Sequence, residues 1–480
     1  MKAILKTSFS SSMLLPFQLG VSSSGGVEPA VFLLEEAIAG PNKADFQYIT
    51  SVDLHNAFNS GARPSIASSV ASFAPTFYRA ATWAYNNPSL LVLADGSSIA
   101  SSKGQAIAAL QDLPKQHSLL LLRGSIHLLL RHLLRQLNPE GLSDLWGKAD
   151  IYIREAIRSL VARSPADLPE EPDPYLLSLP VRDGGLGLPL HKELASGLYQ
   201  AAKEATRATL EKISSFFYPL SPPPQARDLG PSAKEVYKEI NKKKLETYLQ
   251  DLPLPYKQVR LENASYLGRK WLRVLPTQKP LSFTDSETAE ALRSRLFYPI
   301  KPLDLPCSAC GAIANLGHED TCKGASRRWI ARHNAVNRAF VKALGSRPDL
   351  KVEIEPLVQQ DSSLRADFAV TIGNSRYFYD IQIVAISKDS AKEDPYSTLK
   401  EAADEKKRKY QSLGAFFHPL IFSAGGLMDQ ETSQTYKKLQ ELLGPFAASQ
   451  LDSTIGLALT KTRAISAASI ARDLPRRTHS

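Results

Sequence analysis

Between Arg365 and Ala385, apolar and polar side chains alternate in two short runs on either side of Gly373-Asn374. Such alternation flanking a Gly-Asn pair predicts a β-hairpin with a two-residue turn. Centring the turn between Gly373 and Asn374 opposes Ile372 to Ser375 and, counting outward, Asp367 to Asp380. On the first strand Asp367, Ala369 and Thr371 share one sheet face, and Phe368, Val370 and Ile372 the other. On the second, Asp380, Gln382 and Val384 share a face, opposite Ile381, Ile383 and Ala385. The two acids then have Cβ atoms roughly 4.5–5.5 Å apart, close enough to share one hard divalent cation such as Mg²⁺. Lys351–Pro356 reads as a shorter strand ahead of the hairpin. Leu399–Leu413 reads as a helix that places Lys406 and Lys409 on one face with Ala402 and Leu413.

Elsewhere the pattern is mostly helical. Glu28–Ala39 predicts a helix stopped by Gly40-Pro41, and Phe46–Leu54 an aromatic and β-branched strand with Asp53 near its end. Residues 105–215 read as helices. Within them Leu119–Leu137 is apolar nearly all round, punctuated by Arg123, His127, Arg131, His132 and Arg135, as in a buried bundle helix whose basic side chains snorkel. Ser164–Pro174 and Pro219–Pro231 read as linkers. Between them the Gly184-Gly185-Leu186-Gly187 run lacks the Lys-Ser/Thr of a phosphate loop and reads as structural. Lys234–Tyr248 is a Lys-rich helix, suited to a solvated face or to phosphate contact. Residues 451–480 read as a helix and basic tail.

Composition narrows the class. The 480 residues carry a net charge of +10 and a pI near 9.2, which fits a polyanionic partner in a chain of about two to four domains. Three cysteines argue against a disulfide-stapled secreted protein. The longest apolar run is broken by charges, and Met13–Phe17 is too short and Pro-broken for a signal-peptide core. An intracellular protein without membrane association is the expectation.

All three cysteines fall in one cluster, Cys307-x2-Cys310-x7-His318-x3-Cys322. Thiolate and imidazole ligands in this order suit tetrahedral Zn²⁺, and four protein ligands leave no open position, so the expected site is structural. The following helix carries Lys323, Arg327, Arg328, Trp329, Arg332, His333 and Arg338. Arg327, Arg328 and Arg332 are the candidates for nucleic-acid backbone contact.

Two resemblances join these pieces. Asp53-Leu54-His55-Asn56-Ala57-Phe58-Asn59 resembles the first catalytic-aspartate motif of retroelement reverse transcriptases. Pro16–Val21 and Gly25–Glu28 resemble the fingers of non-LTR retrotransposon enzymes, and Ala94-Asp95-Gly96 and Ser101–Gln105 a hairpin further along the same palm. No Asp-Asp pair follows in the chain. A polymerase clamps two metal ions between carboxylates of two palm strands, so the resemblance implies that Asp53 is a remnant of an internally deleted palm. Arg365-Ala366-Asp367 and Asp380-Ile381-Gln382 resemble the PD-(D/E)xK restriction-like nuclease core, with Gln382 where that core has lysine. Together with the upstream Cys-Cys-His-Cys knuckle and the Lys406/Lys409 helix, they resemble the C-terminal endonuclease of site-specific non-LTR retrotransposons, where lysines come from this helix.

The resemblance implies a multidomain α+β and α/β chain. Its parts are a fingers/palm remnant (1–104), a helical thumb-like region (105–215), a linker with basic helices (216–300), a zinc knuckle with basic helix (301–338), a restriction-like endonuclease (339–450) and a C-terminal helix and tail (451–480). It implies Mg²⁺ at Asp367 and Asp380, with Lys406 and Lys409 offsetting transition-state charge and Glu355 as an outer ligand. It further implies a DNA target, retroelement RNA and a nuclear location. Two other functions stay open: a non-catalytic nucleic-acid-binding relic, and a residual RNA-directed DNA polymerase.

Overall fold

The structure, a computed structural model, describes residues 110–472 and Phe32, leaving out residues 129, 132, 141, 165–168, 218–230, 303, 360–362 and 389–390. The fingers and palm expectations, Asp53 among them, lie outside the described residues, as does the basic tail beyond Arg472. The chain divides into two compact units: Met1–Ala106 with His132–Glu140 and Ala195–Val236, and Ile107–Arg131 with Gly141–Leu194 and Tyr237–Ser480. In the first, Phe32 meets Tyr199 edge-on at 5.4 Å beside buried Ala202.

The second unit mixes helices with one small sheet. Its helices are α1 (Lys115–Gly124), α2 (Ser143–Val161), α3 (His191–Phe217, which continues into the first unit), α4 (Ala233–Asp251), α5 (Leu254–Ala264), α6 (Asp285–Arg295), α7 (Ser326–Gly345), α8 (Pro395–Lys409) and α9 (Gln430–Ala471). Its strands are β1 (Lys351–Ile354), β2 (Phe368–Ile372), β3 (Ser375–Val384) and β4 (Phe417–Ser423), in that order across the sheet. β1, β2 and β3 pair antiparallel, and β4 joins β3 in parallel. That last pairing requires the crossover that α8 supplies. Among the described residues no helix is long and apolar enough to cross a membrane.

The hairpin register is the expected one: Ile372 pairs with Ser375 and Phe368 with Tyr379. Gly373 takes a positive φ of 60° while Asn374 does not, the pattern of a type II′ turn with glycine first. One sheet face, with Phe368, Val370, Tyr379 and Ile381, packs on Val336 and Phe340 of α7 and Tyr436 and Leu439 of α9. On the other face Ile421 and Val384 pack on Leu399, Ala402 and Ala403 of α8, while Ala369 and Phe378 pack on Tyr410. Asp380 and Gln382 share the parity of Phe378 and Val384, so the alternation turns them toward α8.

One expectation changes. Leu119–Leu137 is not one buried helix: α1 ends at Gly124, and a 3₁₀ turn, Ile126–Leu128, and a short helix, Leu133–Gln136, follow. Leu121, Leu128 and Leu137 are exposed, and Arg123 does not snorkel. Its guanidinium donates to the carbonyl oxygens of Leu186 and Leu272 at 2.9 and 2.6 Å, and burial lowers its pKa to about 10. The region after 450 holds the expected helix, as the end of a longer one. α9 runs through it, kinked at Gly444-Pro445 where proline removes a helical donor, and its far end packs Ala467 and Ile470 against Cys307 and Cys322. At the described edges of the Ser164–Pro174 linker, Arg163 is paired with buried Glu290, and Asp173 caps a short helix through Tyr175 N–H.

The Gly184–Gly187 loop is structural, as its motif suggests. A Cβ on Gly185 would sit 2.2 Å from the Leu179 carbonyl oxygen. The loop aims carbonyls inward, at Arg295, whose buried guanidinium donates to Gly185 O (2.8 Å), Val181 O (3.1 Å) and Asn263 O (2.9 Å). Loop carbonyls gathered on a cation are the opposite of a phosphate cradle, which needs N–H groups. Gly185→Ala is expected to cost about 3 kcal/mol through overpacking against rigid backbone, read as a lowered midpoint in urea denaturation.

Candidate functional site

The knuckle is built by two turns. Gly311, at φ 77°, lets its N–H and that of Cys310 turn back onto the Cys307 carbonyl at 2.7 and 3.3 Å, and Pro306 bridges Ile313. Gly317, at φ 81°, starts the short helix His318–Thr321. These turns bring the four ligand atoms of Cys307, Cys310, His318 and Cys322 within 4.8 Å of one another, the only such group of three or more potential ligands among the described residues. Cys307 Sγ and Cys310 Sγ each lie 3.8 Å from Cys322 Sγ, and Cys310 Sγ lies 3.4 Å from His318 Nε2. A tetrahedron with metal–sulfur bonds of ~2.3 Å has sulfur–sulfur edges of ~3.8 Å. The donor set fits zinc and can hold it. Backbone amides of Ala309 and Cys310 bond the Cys307 sulfur, and burial lowers the His318 pKa toward the neutral ligand form.

Around the knuckle lies a buried charge cluster. Arg463 of α9 reaches Glu262, Glu319 and Asp320 at 3.2, 3.3 and 2.9 Å. Arg332 of α7 pairs with the same Asp320 at 2.5 Å and is only 4 % exposed. This corrects one expectation: Arg332 faces inward and fastens the knuckle to α7, while Arg327 is exposed and Arg328 half-buried. Ser387, just past β3, donates to the Gly317 carbonyl at 3.2 Å and ties the knuckle to the end of the sheet.

The second cluster sits where β2 and β3 part. Asp367 N–H still donates to Tyr379 O at 3.0 Å, but the ladder stops there. The Ile381 N–H, next along β3, instead donates to the Asp367 carboxylate (Oδ2) at 2.5 Å. His333 Nε2 of α7 lies 3.1 Å from both Asp367 Oδ2 and Ile381 O, and its Nδ1 lies 3.3 Å from Asn334 Oδ1. Three acceptors around two ring nitrogens suit an imidazolium. The bond to Asp367, opposed by burial, raises the His333 pKa to about 9.

Asp380, 5 % exposed, is held from the α8 side. Lys406 pairs with its Oδ2, and the Tyr410 hydroxyl lies 2.6 Å from its Oδ1 and 2.7 Å from Arg365 O. Burial, the bond to Asp380 and the charges of Asp380 and Asp367 push the Tyr410 phenol well above its usual pKa, so both acids act on one hydroxyl. The helix explains the delivery. Asp394 caps its start through the N–H groups of Tyr396 and Ser397. Leu399, Ala402 and Ala403 dock it on the sheet, and Lys406 follows Ala402 one turn on.

The two expected lysines therefore part company. Lys406 is on Asp380, whereas Lys409 is exposed with its ammonium 5.1 Å from the Tyr410 ring centre. Glu355 is exposed and touches the site through its backbone. It holds φ at 48°, strained for a non-glycine, while its N–H donates to Asp367 O at 3.1 Å and its carbonyl accepts from Arg365 at 2.6 Å. His333 and Tyr410 were not singled out from sequence. Neither residue's type and position assigned it a role, and only the fold shows what each faces.

A fall in His333 pKa on loss of Asp367 would test this geometry. The folded value lies above the unfolded one, about 6.5, so this pair's contribution to stability is complete below pH 6.5 and is lost as pH rises through about 9. In an NMR titration His333 should change charge near pH 9, and Asp367→Asn should return it toward its ordinary range. An unchanged titration would exclude the Asp367 contact.

Beside the two acids opens a groove of about 640 Å³ lined by Trp329, Ile330, His333, Ile381, Gln382, Ile383, Lys388 and Lys406. Compared with protein-family models and with curated protein sequences, the chain matches none, so the reading of its chemistry rests on these side chains.

Proposed function

We propose that the chain is a retroelement-derived, metal-dependent DNA endonuclease that nicks one strand at Asp367 and Asp380. The observation that carries this reading is that two acids stand where β2 and β3 part, Asp367 bonded by the Ile381 N–H and Asp380 paired with Lys406 from a different element. Gln382 has no ammonium to offer, and Lys406 brings one to the same carboxylate. Two carboxylates suffice for Mg²⁺, which keeps several waters and takes the rest of its shell from substrate phosphate. When bound, Mg²⁺ supplies a water acidic enough to attack phosphorus and positive charge for the departing 3′ oxygen.

The chain's own residues do the rest. Asp367 and Asp380 fix where the scissile phosphate sits, and the Lys406 ammonium offsets charge that grows on its oxygens. His333 and Ile381 N–H orient Asp367, and Tyr410 orients Asp380. Arg327 and Arg328, at the start of α7, supply phosphate-backbone contact in this reading. The Cys307/Cys310/His318/Cys322 zinc is structural in this reading. Template-directed synthesis is lost, since Asp53 has no second acidic partner in sequence. Retroelement RNA as a second ligand and a nuclear site of action follow from the same family reading.

Nicking of supercoiled plasmid tests the proposal. The wild-type chain should convert supercoiled to open-circle DNA with Mg²⁺ and not without it, and Asp380→Ala should abolish conversion. Equal cleavage by both proteins would sink the site assignment. DNA binding without cleavage by the wild type would instead favour a non-catalytic nucleic-acid-binding protein, and primer extension on an RNA template would overturn the polymerase loss.

A further inference from the structure

We propose that the groove beside Asp380 receives one unpaired DNA base next to the cleaved phosphate, stacked on Trp329 and read by Gln382. The inference rests on the nuclease reading and supplies what that reading leaves unused. Gln382 stands where a restriction-like core carries lysine, on the same strand face as Asp380, yet it plays no part in holding Asp380 or Asp367. Its Oε1 is buried with no hydrogen-bond partner, and so is the indole Nε1 of Trp329. Both residues line the same groove. Buried polar atoms are nearly always paired, so the open Gln382 amide oxygen, on a residue that lines the cleft beside Trp329, marks where a ligand can complete the bonding.

The walls say what kind of ligand. Ile330, Ile381, Ile383 and Val384 give the groove apolar sides, Trp329 gives it an aromatic platform, and Lys388 and Lys406 stand at it as cations. Apolar and aromatic walls with a few polar atoms and flanking cations suit a base whose backbone carries phosphate. A base inside a duplex is stacked and paired and cannot enter, so the occupant is unpaired or flipped out. A glutamine amide accepts from N6–H and donates to N7 of adenine, so adenine is the preferred base. Because Lys406 lies in both the groove and the acid cluster, the phosphate beside such a base falls close to Asp380.

The test measures binding apart from cleavage. Fluorescence anisotropy with the full, zinc-retaining chain and no Mg²⁺ uses labelled duplexes carrying one unpaired adenine, one unpaired thymine or one abasic site, and a fully paired control. Adenine should bind at least about fivefold more tightly than thymine and about tenfold more tightly than the abasic site. Trp329→Ala should reduce the affinity for unpaired adenine to that for the fully paired duplex. Gln382→Leu, close in shape and so the safer variant for folding, should erase the adenine preference while unpaired bases still outbind the abasic site. Equal affinity for adenine, thymine and abasic duplexes, or unchanged binding by a folded Trp329→Ala protein, would overturn the groove assignment. Adding Mg²⁺ to the same duplexes separates the two readings. Nicking with no base preference removes the groove alone, and base preference with no nicking removes the nuclease reading and keeps the groove as a recognition site.

Discussion

Cys307→Ser should abolish stoichiometric zinc binding and lower the stability of the whole second unit, not only of the knuckle. Around the cluster only Ile300, Cys307, Ala314, Cys322, Ala467 and Ile470 form a buried apolar set, too few to hold the turns between Pro306 and Cys322 without metal. Structural zinc binding is worth about 10–16 kcal/mol in isolated knuckle-sized peptides. At free zinc a thousandfold above its dissociation constant, the linked stabilisation of a folded protein is about 4 kcal/mol. Losing the fold of the His318–Thr321 helix would also withdraw Asp320 from Arg332 and Arg463. Uncompensated buried charges cost about 3–5 kcal/mol. The effect should reach the acid cluster, because Arg332 is next to His333 on α7 and Ser387 ties Gly317 to the end of β3. Metal content by elemental analysis and thermal unfolding with and without chelator check this. Full zinc content in the Cys307→Ser protein, or an unfolding midpoint indifferent to chelator, would remove zinc from the account.

The second large effect separates two lysines that the sequence treats alike. Lys406→Ala should slow plasmid nicking about 10²–10³-fold, the usual cost of losing one well-placed electrostatic group, while DNA binding at low salt changes little. Lys409→Ala should change the nicking rate by less than about tenfold, since an exposed cation makes only a weak, screened contribution. The difference follows from placement, with Lys406 on the buried Asp380 carboxylate and Lys409 out over the Tyr410 ring. Lys406→Ala also leaves Asp380 buried beside no cation, so a melting curve should accompany the rate. A Lys409→Ala protein as slow as Lys406→Ala would mean the helix turns in the active state and the placement is wrong.

Periodicity made the hairpin legible because strand alternation and a Gly-Asn turn fix register locally. Phe368 opposite Tyr379 follows from counting outward from Gly373. The zinc cluster was legible for a related reason: spacings of two, seven and three residues confine four ligand atoms to a short loop, and turns at Gly311 and Gly317 close it. The helix bearing Lys406 was also visible, since Leu399, Ala402 and Lys406 recur at helical spacing. Leu119–Leu137 was misread because the apolar run masks its own stop signal: Arg123-Gly124 ends α1, and Arg123 reaches the carbonyls of Leu186 and Leu272 far along the chain.

What the chain determined alone were therefore the features set by neighbours: the hairpin register, the Cys/His spacing and the helix behind them. Tertiary structure decided which charged groups meet. It turned Arg332 inward onto Asp320, brought His333 to Asp367 and chose Lys406 over Lys409 for Asp380. Ion pairs and hydrogen bonds between distant residues depend on where whole elements pack, and burial then decides which of them matter. No local pattern carries that information.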